Sequence, residues 1–358
     1  MRLISLDTSH HSVHPSDALH ANKKGDSAGN ISTRWLVQLP SSALMLHALA
    51  STAFASHGLE NMRFARLISN NVVLEHGKVE MEYLPKGLVS SGAIEISKKL
   101  RSVSGGRILD VATAGGGFID TLMKTLKDYD SFVGIDYCAS ATSKKEMESA
   151  KKRFEGKPVQ FLEMNAENLD FEDGSFDTVC ISHSLHHLSK IDRVLTEMKR
   201  VLKRGGNFIL QEAYCDGDQT EAQKADELEH EWEAKIDSLL GITHNRSFSK
   251  QRIMYIVSSL KLRELEVFDS THPIDCLFCE RKHECEDPKN QATFHKMTKE
   301  IDDAIRRIEN YPDLETRNRL KEEGERIKET IAKSGSASAS CLFAIGKTQA
   351  VSSHTNSE

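Results

Sequence analysis

The sequence predicts an α/β fold: a seven-stranded, mostly parallel sheet with helices on both faces, plus a helical insertion between strands six and seven. Two observations carry that expectation. Short apolar runs alternate with helix-like stretches from residue 81 to 270, which is the rhythm of parallel strands joined by right-handed crossovers. The first of these runs also ends in a glycine cluster, Gly115, Gly116 and Gly117, that opens directly into a helix-compatible segment. Backbone N–H groups in such a turn can approach a ligand closely, because no bulky side chain intervenes.

The elements follow in order. Residues 93–100 are amphipathic and stop at Gly105 and Gly106. Strand one is 107–112 and its helix reaches about 127; strand two is 131–136, followed by a helix over 140–154. Strand three is 158–164 and strand four 176–182. The helix over 191–202 shows Ile191, Val194, Leu195, Met198 and Leu202 on one face. Gly205 and Gly206 end it, and strand five is 207–212. All these strands are short apolar runs, as expected where both faces of a sheet are covered. A long polar helix containing Trp232 spans 220–240, and Ser249 caps the next helix. Strand six is 262–268 and strand seven 340–347. Between them a helical pair breaks at Tyr311 and Pro312, one stripe being Phe294, Met297, Ile301, Ile305 and Ile308, the other Leu320, Ile327 and Ile331.

Composition bounds the rest. The 358 residues carry a net charge of −6, which argues against a surface built to grip nucleic acid. No run reaches the roughly 18 apolar residues of a membrane-spanning helix. Seven cysteines in a chain this long do not suggest a secreted disulfide framework, so a cytoplasmic setting is expected. Residues 1–80 are rich in Ser, Ala and His with weak periodicity, and read as a poorly ordered extension from an upstream start codon, with Met62 or Met81 as the true start. The organisation is then a main domain over 81–270, a Cys-containing helical insertion over 271–339, the last strand within 340–348, and a disordered tail over 349–358.

In a doubly wound sheet, ligands bind beyond the strand C-termini at the switch point. Four segments meet there: Asp110 with the turn 112–117, Asp136 at the end of strand two, Asn165 and Ala166 after strand three, and residues 182–187 after strand four. A carboxylate at Asp136 is placed to accept both hydroxyls of a ribose. An amide at Asn165 can read an adenine edge.

These segments, with Val201–Gly206 in sequence Val-Leu-Lys-Arg-Gly-Gly, resemble the class I S-adenosylmethionine-dependent methyltransferases, a Rossmann-like fold. The likeness is greatest to the ubiquinone/menaquinone-biosynthesis (methyltransferase type 11) group. It covers about 88–270 and the final strand, and it is specific because five motifs occur in the family's order. The resemblance implies S-adenosyl-L-methionine as cofactor and methyl transfer to a small-molecule acceptor. It implies that Asp110 and Gly115 hold the methionine end, with Ala112, Ala114 and Gly116 in the same turn. Asp136, with Tyr137 beside it, would bind the ribose; Asn165 and Ala166 would flank adenine; Ser182 would lie near the methionine. Two departures stand out. Ala112 and Ala114 replace glycines of the family's turn, so the loop should run differently or leave a tighter pocket. Asn165 stands where aspartate is common.

Methyl transfer from a sulfonium needs a base only when the acceptor carries a proton at attack. His183 and His187, with His186 between, are the candidates, Glu212 and Tyr214 the reserves. His230, Trp232 and His244 shape a lid. Cys276, Cys279, His283 and Cys285 form C-x2-C-x3-H-x-C, whose first half suits zinc or, second, an iron–sulfur cluster; His272 or Cys215 are substitute ligands, and idle thiols are the bland alternative. A soft-metalloid substrate or a redox role is a third option. The charged helical pair is expected to be a solvated hairpin or a homodimer contact. The rival functions are a nicotinamide-dependent oxidoreductase, disfavoured by the absence of a clean G-x-G-x-x-G, and a methyltransferase-like scaffold with a structural metal.

Overall fold

The computed structural model describes residues 91–138, 141–272, 274 and 287–349. The N-terminal extension, the tail beyond 349, and Cys276, Cys279, His283 and Cys285 lie outside the described residues. The elements are α1 (Ser91–Leu100), β1 (Arg107–Val111), α2 (Gly117–Thr125), β2 (Ser131–Asp136), α3 (Ala141–Arg153), β3 (Val159–Glu163), β4 (Phe176–Ser182), α4 (Ile191–Val201), β5 (Leu202–Ala213), α5 (Glu221–Leu239), α6 (Lys250–Ser259), β6 (Arg263–Ser270), α7 (Gln291–Arg307), α8 (Leu314–Ser334) and β7 (Cys341–Lys347).

The seven strands form one sheet in the order β3-β2-β1-β4-β5-β7-β6. The pairings from β3 to β5 are parallel, and β7 runs antiparallel to both β5 and β6. The order reverses between β1 and β4, so the loops after these two strands diverge and leave a crevice at the sheet's C-terminal rim.

Strand alternation divides the core between two faces. Ile108, Phe132, Cys180 and Ile209 pack with Ile96, Ile119, Leu122 and Phe154 of α1, α2 and the α3 end. Their neighbours Leu109, Val133, Val179 and Phe208 pack with Leu195, Met198, Ile253 and Val257 of α4 and α6. A period of two thus sends successive residues of each strand to opposite, fully covered layers.

Strand five departs from expectation at its start. It begins at Leu202, directly after α4, and its pairing with β4 shifts register between Phe176 and Thr178. Gly205, with φ of 76°, lies inside this irregular stretch. The glycine pair therefore serves an extra-residue irregularity in the strand, where one backbone unit must turn left-handed.

The polar helix α5 belongs with the insertion. Its Ala225, Trp232 and Ile236 form a third core with Met297, Ile301, Ala304 and Ile308 of the α7 segment and Leu320, Ile327 and Ile331 of α8. The two apolar stripes of the insertion pack within the chain, in a three-helix cap built with α5. The cap draws on residues from both sides of 270/271. A full capping box starts α5: Thr220 accepts from Gln223 N–H while the Gln223 side chain accepts from Thr220 N–H. The expected Ser249 cap is present on α6, accepting from Arg252 N–H. Among the described residues, no helix is long and apolar enough to cross a membrane.

Candidate active site

The turn after β1 is held from several sides. The Asp110 carboxylate, 1% exposed, accepts the Thr113 hydroxyl at 2.6 Å and lies 3.4 Å from the Cys180 thiol. Thr113 N–H donates to the Ile135 carbonyl, and Ala114 N–H donates to Asp136 Oδ2 at 2.7 Å. The Ser184 hydroxyl stands 3.2 Å from the Ala112 carbonyl, tying the β4 loop to the same turn. The resemblance implies that Asp110 holds the methionine end; its buried carboxylate also engages Thr113 within the turn.

The alanines behave differently from expectation. Ala112 has φ of 55° and Ala114 φ of 45°, so the backbone keeps the left-handed path of a glycine turn instead of finding another. A left-handed non-glycine residue costs roughly 1–2 kcal/mol. Ala112→Gly and Ala114→Gly are each expected to raise stability by about 0.5–1 kcal/mol after glycine's greater unfolded-state entropy is subtracted. A denaturant midpoint that stays put or drops in both variants would contradict this strain.

Gly115 and Gly116 differ in their surroundings. Gly116 has φ of 74° and buried surroundings; a Cβ there would stand 2.9 Å from the Phe161 ring and 3.0 Å from Phe154. Gly115 has no heavy atom within 4 Å of where a Cβ would stand. It therefore borders open space at the rim, as a backbone that receives a ligand should.

Asp136 ends β2 beside that space. Burial raises its pKa, against the opposing effect of the N–H groups of Ala114 and Tyr137. Tyr137, next in the chain, is 63% exposed, an aromatic ring left on the surface. Asn165 is exposed, and its side-chain oxygen accepts from Glu167 N–H at 2.9 Å, closing a local turn. Ala166 is half-buried beside it. The Ser182 hydroxyl accepts from the Gln211 side chain at 3.0 Å. These residues come from the ends of β1, β2, β3 and β4, on one rim.

The histidines divide into two groups. His183 has φ of 47°, and its buried Nε2 has no hydrogen-bond partner among the described residues. Strain together with an unpartnered buried atom is what a functional position shows. His186, His187, His230 and His244 instead form a separate cluster, each offering a ring nitrogen within 4.8 Å of the others. His186 Nδ1 lies 3.0 Å from Glu212 Oε1, and His244 Nδ1 lies 2.7 Å from Asp237 Oδ2. Burial, with the neighbouring imidazoles adding to it, lowers His186 and His230 to about 3, and lowers His187 as well. Imidazoles held neutral this strongly are weak bases.

Both reserve candidates are occupied. Glu212 is fully buried and accepts N–H from Leu185 and Ala213 as well as meeting His186; burial raises it to about 7. The Tyr214 hydroxyl donates to Asp269 at 2.7 Å, and burial pushes it well above the usual phenol range. Trp232, expected in a lid over the site, is the centre of the cap core. Neither Cys215 nor His272 joins the metal-capable group found among the described residues. Asp237 had no place in the sequence reading. Its spacing of seven from His230 on α5 puts the two on one helix face, a signal that gains meaning only once His244 is known to fold back onto them.

Residues 109–210 match the family described as the methyltransferase domain. A curated relative, the ubiquinone/menaquinone biosynthesis C-methyltransferase UbiE of Rhizobium johnstonii, is 33% identical over 112 residues, covering 31% of this chain and 43% of that one. The demethylmenaquinone methyltransferase of Thermotoga maritima is 36% identical over 106 residues, covering 30% and 43%. The chain thus spans less than half the length of these relatives. A solved structure, the YcgJ protein of Bacillus subtilis, aligns with a TM-score of 0.39 at 18% identity, over 72% of this chain and 98% of that one. Residues 109–210 thus carry a methyltransferase domain, and over that stretch the chain is similar to quinone-biosynthesis methyltransferases of the UbiE kind.

Proposed function

We propose that this chain transfers a methyl group from S-adenosylmethionine to a small-molecule acceptor. The observation that carries the reading is the open space beside Gly115, in the turn whose neighbouring Ala114 N–H donates to the carboxylate that ends β2. The residues present fit the cofactor. Asp136 holds the turn with Oδ2 and is placed to receive the ribose hydroxyls. Tyr137, Asn165 and Ala166 flank the position of an adenine, and Ser182 and Gly115 that of the methionine end.

The sulfonium supplies a methyl group already activated for displacement, so the protein's part is positioning and exclusion of water. His183 is the residue placed to take a proton where the acceptor carries one. The relatives' names concern quinone precursors, which makes a planar aromatic acceptor the first class to screen.

Calorimetry with S-adenosylhomocysteine and with a nicotinamide dinucleotide tests the reading. Saturable binding of the first supports it. Tight binding of the second with none of the first would replace methyl transfer by hydride transfer. The pH dependence gives a sharper check. Asp136 must be ionised to accept two hydroxyls, and burial raises its pKa. Nucleoside affinity should therefore begin to fall on acidification at a higher pH than an ordinary aspartate would dictate. The sign for stability is opposite: a carboxyl whose folded pKa is raised favours folding less as pH rises between the unfolded and folded values. Asp136→Asn is expected to lower affinity about tenfold or more, equivalent to about 1.4 kcal/mol, and to flatten the acid limb. An acid limb unchanged in this variant would assign it to another group.

A further inference from the structure

The histidine cluster lies beside the proposed cofactor rim, and the methyl-transfer reading makes no use of it. We propose that His186, His230 and His244, with His187 as fourth ligand, bind one divalent transition metal ion, with zinc the best fit. The inference stands on geometry, independently of the proposed reaction. His186 Nε2 and His230 Nε2 are 3.3 Å apart, and His230 Nε2 and His244 Nε2 are 3.1 Å apart. Two nitrogens bound to a tetrahedral zinc at about 2.0–2.1 Å stand roughly 3.3 Å from each other.

Where Glu212 is ionised, ordinary hydrogen bonds do not account for the cluster in full. The carboxylate, which accepts two backbone N–H groups, then accepts from His186 Nδ1 as well. Asp237 is paired with Arg307 of α7, so it is an acceptor toward His244 Nδ1. Both rings then hold their proton on Nδ1 and present a bare Nε2. His230 can donate a single Nε2 proton to one of them, which leaves the other contact lone pair against lone pair. A cation at the meeting point satisfies all three nitrogens at once.

The surroundings are those of ligating imidazoles. Each ring is oriented through its outer nitrogen: His186 by Glu212, His244 by Asp237, His230 by the Ser247 hydroxyl at 3.1 Å, and His187 by the Thr243 carbonyl. Carboxylate partners of this kind fix tautomer and ring orientation in metal sites. All-imidazole ligation suits zinc, copper, iron or nickel, and calcium or magnesium poorly. His244 lines a cleft of about 1040 Å³ between α5 and α8, so an ion has a way in. The ligands come from the β4 loop, α5 and the loop after α5. A bound ion therefore ties the cap to the sheet.

The test is cobalt and zinc titration of the full chain after chelation and dialysis. Cobalt on imidazoles gives weak visible bands; cobalt on thiolates adds strong near-ultraviolet charge transfer, which separates this site from the Cys276–Cys285 segment. We expect about one equivalent per chain with visible bands, lost in the His230→Ala, His244→Ala double variant whatever the thiol signal does. Asp237→Asn keeps the shape while removing the charge, and is expected to weaken zinc by roughly 10–100-fold with the circular dichroism unchanged. The proposal is overturned if the unaltered chain binds neither metal, if all bound cobalt reports thiolates, or if a folded double variant binds as well as the parent.

Discussion

Replacing Gly115 by leucine is expected to leave the protein folded while emptying the cofactor site. Nothing lies within 4 Å of the added Cβ, and Gly115 is not among the residues with positive φ, so the backbone tolerates a side chain. Its stability should stay within about 0.5 kcal/mol of the parent. The leucine side chain would occupy the space assigned to the nucleoside or methionine. A loss of at least tenfold in S-adenosylhomocysteine affinity, about 1.4 kcal/mol, is the minimum expected. Gly116→Ala, one residue on, should behave in the opposite way. Its left-handed backbone and its contact with Phe161 make the cost structural, on the order of 2–3 kcal/mol, because strain and overpacking coincide. Calorimetry and denaturant unfolding on the two variants separate ligand space from packing. Equal affinity in Gly115→Leu and the parent would place the cofactor elsewhere, and would remove the observation on which the methyl-transfer reading rests.

The parts of this site that were legible in the sequence are those written locally. A strand that ends in Asp110, a glycine turn and a helix start are contiguous, and the short apolar runs with Asp136 at the end of one are equally so. Hydrophobic periodicity and turn chemistry act over a few residues, so they place such elements without knowledge of the rest. What was not legible depended on which surfaces meet. The engagement of the Asp110 carboxylate by Thr113 and Cys180 is one such contact. Ala112 and Ala114 suggested a loop that runs differently or leaves a tighter pocket. The hydrogen bond from Ala114 N–H to Asp136 and the packing around Thr113 hold it in the strained form. The histidine cluster comes from two segments that are far apart in sequence, 186–187 and 230–244, and a sheet order had to exist before they could be neighbours. The stripes of the insertion were visible, but not their partner. Helix α5 sends Ala225, Trp232 and Ile236 into that core while Leu228 and Leu239 face solvent, so its apolar residues do not announce one buried face.

Trp232→Ala is expected to produce the largest stability loss of any single change in the cap. The ring is fully buried, its Nε1–H donates to the Leu320 carbonyl at 3.0 Å, and it packs so closely on α8 that a Cβ at Gly324 would stand 2.9 Å away. Deleting a buried tryptophan costs about 3–5 kcal/mol, from lost transfer energy and the cavity left behind. That exceeds what a small three-helix unit with one modest core can absorb. The two sheet-flanking cores contain no residue of α5, α7 or α8, so they have no direct stake in the ring. The cap should therefore open as a unit while the strands stay protected. Hydrogen exchange is the measurement: amides of α5, α7 and α8 lose protection together, and those of β1, β2 and β4 keep it. Gly324→Ala reaches the same core by crowding and should cost about 1–3 kcal/mol with the same regional pattern. Uniform loss of protection through the strands would mean that cap and sheet fold as one cooperative unit, and that the insertion is a structural necessity of this chain instead of an attachment to its sheet.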